Sequence, residues 1–561
     1  MRKTVKITTL CMAVALTATT AFSAASCAST ETLVKDGKTI NVKLNSAGYG
    51  TDYIYAMQEK FEAAYADEGY KLNIFTPKAS FTGEQMLQDI ATGTGADVYI
   101  GAGITQSLLE NSTYANTIAD VTELVAKKKP IGFDGEESGE KTIAQILSEN
   151  NYGYTCLQNT DGSYYAIPWT MGIRGLAVNT AVLDEYELEI PKTSKEFFHC
   201  YEVLMTEGVQ NNNYPITHIA SSNNYPVSFT SGWLAQYEGL EWYEKFFTFQ
   251  NADGTKLSKE EAVETFNADG VQIMLENMYR ALDPNCGSPG SKTQGVEKAQ
   301  ANLMKGVCAF MMNGDWLLQE TYYNSSDEQR ENISFVNVPV ISELGVKLFG
   351  AGTAYNKTEE ECETILRAII DEVDANKSLA EIKTAVDSKL SVNIAETDIQ
   401  TVADARGYTY TETVQSGIYI SARSEVKDIA ALFLRMCAST EGGRLIASKT
   451  LSSNPFALGY ETNRYEFVNQ SRAITNNRYF KGLRPEASGY RASIDPNFIN
   501  TLPYTGLYVN LKIVEENVTI YRMENDGSYT KTGDLTAYAT AAQAMRKANY
   551  DDAKNNYNDK W

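Results

Sequence analysis

The sequence predicts an α/β fold built around a parallel sheet, and three observations support this prediction. Strand-like and helix-like periodicities alternate between residues 40 and 100. The chain has 561 residues, 43% of them hydrophobic, which is enough for two or more lobes with their own cores. Charged residues make up 21% of the chain, and beyond the N-terminus no apolar run approaches the roughly 18 residues that suggest a membrane span.

The first elements follow a β-α-β-α-β order. Three segments have strand character, at residues 40–44, 70–75 and 97–100. Ile54, Met57 and Phe61 are spaced as the apolar face of a helix after the first strand. Thr82–Gln85 reads as a capping box that opens the helix after the second strand. This alternation predicts parallel strands joined by helical crossovers, with a ligand beyond their carboxyl ends.

The later elements are also predicted from local patterns. Strands or extended segments are expected at 164–169, 176–179, 307–312 and 335–339, and helices from about 194 and over 429–437. The charged stretch 377–416 is interpreted as an insertion.

The N-terminus predicts export. Arg2, Lys3 and Lys6 precede an apolar run at 10–16, and small residues then lead to Cys27. This order is typical of a secretory signal, and a cysteine after the small residues is similar to a bacterial lipobox, although Ala24 stands where leucine is usual. We expect residues 1–26 to be a signal peptide, Cys27 to carry the lipid and 27–38 to form a tether. The alternative is ordinary cleavage beside a chance cysteine.

Composition excludes several classes of function. A net charge of −22 argues against a nucleic-acid partner. The eight cysteines contain no CxxC pair, so neither a zinc site nor another metal or cofactor is expected. Only two histidines, His199 and His218, are present, and the common hydrolase, zinc-protease and phosphate-loop signatures are missing from the sequence. The sequence therefore predicts a protein that is not an enzyme.

Five stretches, taken in order, resemble the extracellular solute-binding proteins of ABC importers, in the family that includes maltose-binding protein. They are Gly48–Asp52, Gly95–Tyr99, Tyr165–Trp169 with Gly175–Asn179, Gly306–Trp316, and Ser421–Glu425 leading to Ala438–Gly442. The resemblance covers roughly residues 40–450, and the last hundred residues do not share it.

The resemblance implies a two-lobe, periplasmic-binding-protein-like α/β fold of type II, with the ligand cleft between the lobes. On this basis lobe 1 comprises 39–168 and 337–436, and lobe 2 comprises 169–336 and 437–561. It further implies hinge closure on a carbohydrate, most simply an oligosaccharide, and delivery to permease subunits. With a lipid on Cys27, the protein would sit on the extracellular face of the membrane of a Gram-positive-type bacterium.

Seven residues are candidates for ligand contact, and all but Tyr49 also have a structural alternative. Trp316 would stack on a sugar ring, or it belongs to the core of lobe 2. Asp315 would accept sugar hydroxyl hydrogens, or it caps a helix. Trp169 would line the cleft, or it packs at the hinge. Tyr49 would contact ligand from the loop after the first strand.

The remaining candidates are less specific. Asp52 would bind ligand, or its negative charge interacts favourably with the positive N-terminal end of a helix dipole or caps the helix. Gly101 would let the backbone approach ligand, or it makes a turn. Trp233 would line the wall of lobe 2, or it is a core residue.

Three rival functions remain open at this stage. The same fold could bind a non-sugar solute such as a peptide or a polyamine. A surface glycoside hydrolase would require two carboxylates flanking a sugar-sized groove. A structural or adhesive lipoprotein would have no deep cleft between lobes.

Overall fold

The structure is a computed structural model that describes most of the chain up to residue 450. The described residues are 32–450 except 46–47, 78–79, 103, 105–107, 109–110, 150–162, 171–172, 219–224, 284, 292, 315, 376, 409 and 412–415. Beyond residue 450 it describes 521–523, 529–531 and the positions 544, 547, 550, 551 and 554. The predicted lipid site Cys27 and the signal peptide lie outside these residues.

The described chain contains both strands and helices, with runs of consecutive helices between β6 and β7 and between β8 and β9. The strands are β1 Thr39–Leu44, β2 Lys71–Phe75, β3 Val98–Ala102, β4 Ile167–Thr170, β5 Ile173–Asn179, β6 Tyr214–Ile216, β7 Cys308–Gly314, β8 Ile333–Val336, β9 Tyr410–Thr411, β10 Ser416–Ile420, β11 Tyr521–Met523 and β12 Tyr529–Lys531. The helices are α1 Asp52–Ala64, α2 Gly83–Thr92, α3 Thr122–Lys127, α4 Ile143–Glu149, α5 Thr180–Glu185, α6 Ser194–Thr206, α7 Val227–Glu238, α8 Leu240–Thr248, α9 Lys259–Glu264, α10 Asp269–Ala281, α11 Val296–Met304, α12 Leu317–Thr321, α13 Asp327–Glu331, α14 Glu343–Phe349, α15 Glu359–Asp374, α16 Leu379–Leu390, α17 Glu396–Gly407, α18 Lys427–Cys437 and α19 Thr440–Lys449.

Sheet 1 has the strand order β2-β1-β3-β10-β4. Strand β1 is parallel to both β2 and β3, as the β-α-β-α-β pattern predicted. Strand β10 comes from much later in the chain and lies antiparallel between β3 and β4. We call sheet 1 and the helices packed on it lobe 1.

Sheet 2 has the strand order β6-β7-β5-β8, with β9 beside β5. Strand β5 runs antiparallel to β7 and β8, whereas β6 is parallel to β7. Sheet 2 and the helices packed on it form lobe 2. Its largest buried cluster runs from Leu176 to Ala405.

Local sequence accounts for the first helices. The Thr82 hydroxyl accepts from the Gln85 backbone N–H at 3.1 Å, and the Gln85 side chain accepts from the Thr82 N–H at 2.8 Å, so the capping box is confirmed. Ile54, Met57 and Phe61 are fully buried against sheet 1, which confirms the predicted apolar face of α1. Burying one such side chain stabilises the fold by about 1.5–3 kcal/mol.

The predicted assignment of 337–436 to lobe 1 is wrong for residues 338–405. Residues 338–405, including the buried faces of α14 to α17, belong to the core of lobe 2. The chain returns to lobe 1 only between β9 and β10, because β10 must reach the gap between β3 and β4. The stretch interpreted as an insertion supplies Ile382 of α16 and Ile399 and Val402 of α17 to the lobe 2 core.

The predicted start of the last lobe 2 segment at 437 is also wrong. Cys437 and Ile446 are buried in the core of lobe 1, so α18 and α19 complete that lobe. The described C-terminal positions do contact lobe 2: Tyr550 packs on Phe249 with ring centroids 5.7 Å apart and donates to the Leu257 carbonyl at 2.8 Å.

Five of the described cysteines are buried and form no disulfide, namely Cys200, Cys286, Cys308, Cys362 and Cys437. Burial raises the pKa of the Cys200 thiol to about 12. These thiols therefore pack as small apolar side chains. Within the described residues, no helix combines the length and the apolarity needed to cross a membrane.

Candidate functional site

The candidate site lies where the carboxyl end of β1 meets the carboxyl end of β7. The loop after β1 carries Tyr49, and the turn after β7 carries Trp316, which immediately precedes α12. The two rings meet edge to face, with centroids 6.3 Å apart and planes at 83°. This contact joins the lobes, since β1 belongs to sheet 1 and β7 to sheet 2. The structure thus brings together two of the predicted ligand residues.

On the lobe 2 side, Trp316 is held by Gly314, Arg174 and Tyr225. A Cβ on Gly314 would overlap the six-membered ring of the indole, so only glycine leaves room for it. The Arg174 guanidinium lies 5.5 Å from the indole centroid and 5.1 Å from the Tyr225 ring. The Tyr225 and Trp316 rings have centroids 6.4 Å apart, and burial raises the pKa of the Tyr225 hydroxyl. The site is therefore an aromatic and cationic cluster.

On the lobe 1 side, two glycines allow the loop to approach α12. Gly48 and Gly50 have φ values of +83° and +74°, which favour glycine. A Cβ on Gly48 would lie 2.9 Å from Glu320 Oε1, and one on Gly50 would lie 2.8 Å from Gln319 Nε2. The polar side chains of α12 therefore pack closely against the loop that carries Tyr49.

Glu320 adds a weakly acidic group to this junction. Part of its side chain is exposed, but its carboxyl lies among protein groups, and this burial raises the pKa of Glu320 to about 7. A hydrogen bond donated by the Gln300 amide opposes the rise. Near neutral pH the carboxyl can thus serve as donor or as acceptor.

This combination of groups suits a hydroxylated ring. An indole offers an apolar face to C–H groups, while guanidinium, hydroxyl and carboxyl groups satisfy polar atoms at the edge. In the described conformation Trp316 is only 7% exposed, because Tyr49 of lobe 1 covers it. A ligand can stack on the indole only after the lobes separate.

Two predicted residues have clear structural roles. Gly101, at φ +87°, lies against the backbone of Asn45, where a Cβ would be 2.7 Å from the Asn45 carbonyl oxygen. The Asn45 amide donates to the carbonyls of Phe81 and Gly101 at 2.9 and 3.1 Å. Asp52 is exposed at the first position of α1, which suits the positive end of the helix dipole.

The prediction that Trp233 lines the ligand cleft is wrong. The residue is fully buried in the lobe 2 core, where its indole N–H donates to the Pro339 carbonyl at 3.0 Å. Trp169 lies in β4, but its side chain is outside the described part of the structure, and Asp315 lies outside the described residues. These last two roles stay predictions.

Sequence reasoning missed Tyr225, Gln319 and Glu320. Tyr225 precedes Pro226 just before α7, and no periodic pattern separates it from the chain's other 34 tyrosines. Gln319 and Glu320 follow Trp316 at helical spacing, which is the one signal that could have indicated them. Among the described residues, no group of three or more His, Cys, Asp or Glu side chains is placed to hold a metal ion.

Comparison with solved structures identifies the fold that the two lobes form. A chitin oligosaccharide binding protein matches with a TM-score of 0.51 and 12% identity, over 89% of this chain and 95% of that one. A protein linked to xylan utilization in the thermophilic bacterium Caldanaerobius polysaccharolyticus matches with a TM-score of 0.51 and 11% identity, over 90% and 99%. The solute-binding protein RafE in complex with raffinose matches with a TM-score of 0.50 and 13% identity, over 91% and 99%.

The chain has the two-lobe solute-binding-protein fold. At 11–13% identity these comparisons establish the fold alone. No family model and no curated protein matches the sequence. In this fold the Trp316–Tyr49 contact bridges the two lobes, which makes it the position where a ligand held between them would lie.

Proposed function

We propose that this chain is the sugar-binding component of an ABC importer, which captures a carbohydrate between its lobes and delivers it to a permease. The observation that carries the proposal is the position of Trp316, an indole on one lobe that is covered by Tyr49 of the other. Similar folds belong to proteins named for chitin oligosaccharide and raffinose binding, which favours a sugar over a peptide or polyamine. The mechanism is reversible capture by hinge motion, without bond making.

The polar neighbours of Trp316 support an uncharged, hydroxyl-rich ligand. Arg174 is positively charged, and the Glu320 carboxyl is only partly ionised near neutral pH. The junction therefore carries little net charge and favours neither a strongly cationic nor a strongly anionic ligand. A sugar presents both a C–H face for the indole and hydroxyl groups for these side chains.

A thermal-shift series tests the ligand class. We expect N,N′-diacetylchitobiose, raffinose or xylotriose to raise the melting temperature, because a ligand at a hundredfold excess over its Kd stabilises the native state by about 2.7 kcal/mol. Spermidine and a tripeptide serve as non-sugar comparisons. If spermidine or the tripeptide alone raises the melting temperature, the ligand belongs to that class and not to the sugars. If no sugar raises the melting temperature, the proposal is contradicted.

We further propose that a lipid on Cys27 holds the protein at the outer face of the cell membrane. Residues 32–38 lead into the amino end of β1, and Val34 and Asn41 exchange two hydrogen bonds of 2.8 and 2.9 Å that fix this segment. Strand β1 is about 20 Å long at 3.3 Å per residue. The tether therefore joins lobe 1 at the amino end of β1, whereas Trp316 lies near the loop at the carboxyl end of that strand. The junction between the lobes then stays accessible in the anchored protein.

Replacing Cys27 by serine is expected to move the protein from the membrane fraction into the medium, because the acyl chain is the proposed anchor. Fractionation and immunoblotting measure this change. Cys11→Ser, which alters a cysteine inside the predicted signal, is the matched control and should leave the protein at the membrane. Membrane retention of the Cys27→Ser protein would overturn the anchor.

A further inference from the structure

Tyr323 has the largest exposed fraction of any large apolar side chain that the structure describes. It is 82% exposed, whereas the next three, Val34, Tyr55 and Val346, are 38–42% exposed. A single exposed aromatic ring is common on protein surfaces and needs no explanation by itself. Its position relative to Trp316 is what gives this ring a role.

Tyr323 lies on the same side of its helical segment as Trp316. Trp316 immediately precedes α12, and α12 continues directly into a 3-10 turn over Tyr322–Asn324. With 3.6 residues per turn, the positions three, four and seven residues after Trp316 share its side of the helix. Those positions are Gln319, Glu320 and Tyr323.

The contacts of the first three positions show that this side of the helix faces lobe 1. A Cβ on either glycine of the loop after β1 would lie within 3.2 Å of Trp316, Gln319 or Glu320. Tyr323 is one helical turn beyond these contacts on the same side, and its exposure shows that the described part of lobe 1 does not cover it. The ring therefore lies at the rim of the junction between the lobes.

Tyr322 supports the ring of Tyr323 from behind. The two rings meet edge to face, with centroids 5.2 Å apart and planes at 81°. Tyr322 packs on the buried cluster beneath α12, and the Arg330 guanidinium lies 4.6 Å from its ring and donates to its carbonyl at 3.0 Å. The ring of Tyr323 thus rests on a fixed support before any ligand arrives, which reduces the entropy lost on binding.

We infer that Tyr323 is a second stacking residue, which contacts an outer ring of an oligosaccharide whose inner ring lies on Trp316. This inference rests on the proposed function, since the ligand is the sugar bound between the lobes. Seven residues at 1.5 Å per residue separate the two aromatic positions by roughly 10 Å along the helix. A single pyranose ring is shorter than this distance, so only a chain of linked rings contacts both side chains. The site therefore favours an oligosaccharide over its single units.

A length series of sugars tests the inference by calorimetry on the full chain. The series are N-acetylglucosamine with its β-1,4-linked oligomers, xylose with its β-1,4-linked oligomers, and galactose, melibiose, raffinose and stachyose. Within the series that binds, the shortest member that binds is compared with the longer members, in wild type and in Tyr323→Ala. We expect Tyr323→Ala to weaken binding of the longer members about 2- to 10-fold, the effect of one aromatic contact. The affinity of the shortest member should stay unchanged, because it contacts Trp316 alone.

Two further variants distinguish stacking from a structural effect. Tyr323→Phe keeps the apolar ring face and should retain most of the affinity for the longer sugars. Tyr186→Ala is the matched control, because the Tyr186 hydroxyl bonds Asn213 at 2.9 Å beside the amino end of β6, at the end of sheet 2 away from Trp316. It should leave binding of every sugar unchanged. The melting temperature of sugar-free Tyr323→Ala should hardly change, because the side chain removed is mostly in solvent.

The outcomes separate this inference from the proposed function. If the longer sugars bind Tyr323→Ala as tightly as wild type, the inference is overturned and the proposed function stands. If Tyr323→Ala weakens the shortest and the longer sugars equally, the residue acts on the whole site or on the fold, and the outer contact is again overturned. If no sugar of any series binds, the proposed sugar specificity fails and the inference fails with it.

Discussion

Replacing Trp316 by alanine is expected to reduce sugar affinity at least about thirtyfold, which makes it the largest functional effect predicted for this chain. Central aromatic anchors in binding sites commonly contribute 2 kcal/mol or more, and 1.4 kcal/mol corresponds to a factor of ten. Trp316 is placed for this role because its indole rests on Gly314, contacts Arg174 and Tyr225 of lobe 2, and meets Tyr49 of lobe 1. Calorimetry with the sugar found in the thermal-shift series measures the loss.

Two variants show whether the loss reflects the site or the fold. Trp242→Ala removes an indole that stacks on Phe246 at 5.2 Å within lobe 2, away from the junction, and should leave sugar affinity unchanged. Trp316→Phe keeps an aromatic face and should retain part of the affinity. Wild-type affinity in a correctly folded Trp316→Ala protein would remove Trp316 from the site.

Replacing Asp374 by alanine is expected to lower the free energy of unfolding by about 3 kcal/mol, the largest stability effect predicted here. Asp374 ends α15 and accepts from Arg406 Nε and Nη2 at 2.9 and 3.1 Å, and Lys192 lies 3.1 Å from its second oxygen. The side chain of Arg406 is only 5% exposed, so the substitution leaves a buried guanidinium without its counter-charge. Urea denaturation followed by circular dichroism measures the change.

A surface pair provides the matched control for this substitution. Glu140, 96% exposed, pairs with Lys129 at 3.3 Å, and Glu140→Ala should cost at most about 0.5 kcal/mol. If Asp374→Ala cost no more than this control, the buried pair would not stabilise lobe 2.

The effect of Asp374 should also depend on pH. Burial alone would raise the pKa of Asp374, but Arg406 and Lys192 outweigh it and hold the pKa below the usual aspartate value. A carboxyl with a lowered native pKa stabilises the fold above its unfolded pKa, and this stabilisation is lost as pH falls through the native value. The difference in stability between wild type and Asp374→Ala should therefore be full at neutral pH and shrink in strong acid. A difference that stayed constant with acidification would contradict the electrostatic origin.

Sequence periodicity was sufficient to predict those features of the fold that depend on residues close together along the chain. The apolar face of α1 and the capping box of α2 follow from residues three and four apart, and both were predicted. The parallel pairing of β1 with β2 and β3 followed from the helices between them, because such crossovers leave no other arrangement.

The lobe boundaries depended on distant contacts that no local pattern shows. Helices α15 to α17 all bury apolar residues, but nothing in their sequence indicates which sheet those residues cover. These helices pack on lobe 2 because the chain returns to lobe 1 only at β10, the strand that lies between β3 and β4. Amphipathic periodicity indicates that a helix packs against another element, whereas the topology of the whole chain determines which element that is.

The tryptophans show the same division between sequence and tertiary structure. The sequence alone determined an α/β chain with an N-terminal export pattern, and it drew attention to Trp316 at the end of a buried strand. It also kept Trp233 as a candidate beside a core role, since two aromatic residues in apolar surroundings look alike along a chain. Only the tertiary structure placed Trp233 inside one core and Trp316 between two lobes, beside Tyr225 and Arg174. The physical reason is that a binding site is built from residues far apart in sequence, whose proximity depends on strand register and lobe packing rather than on local periodicity.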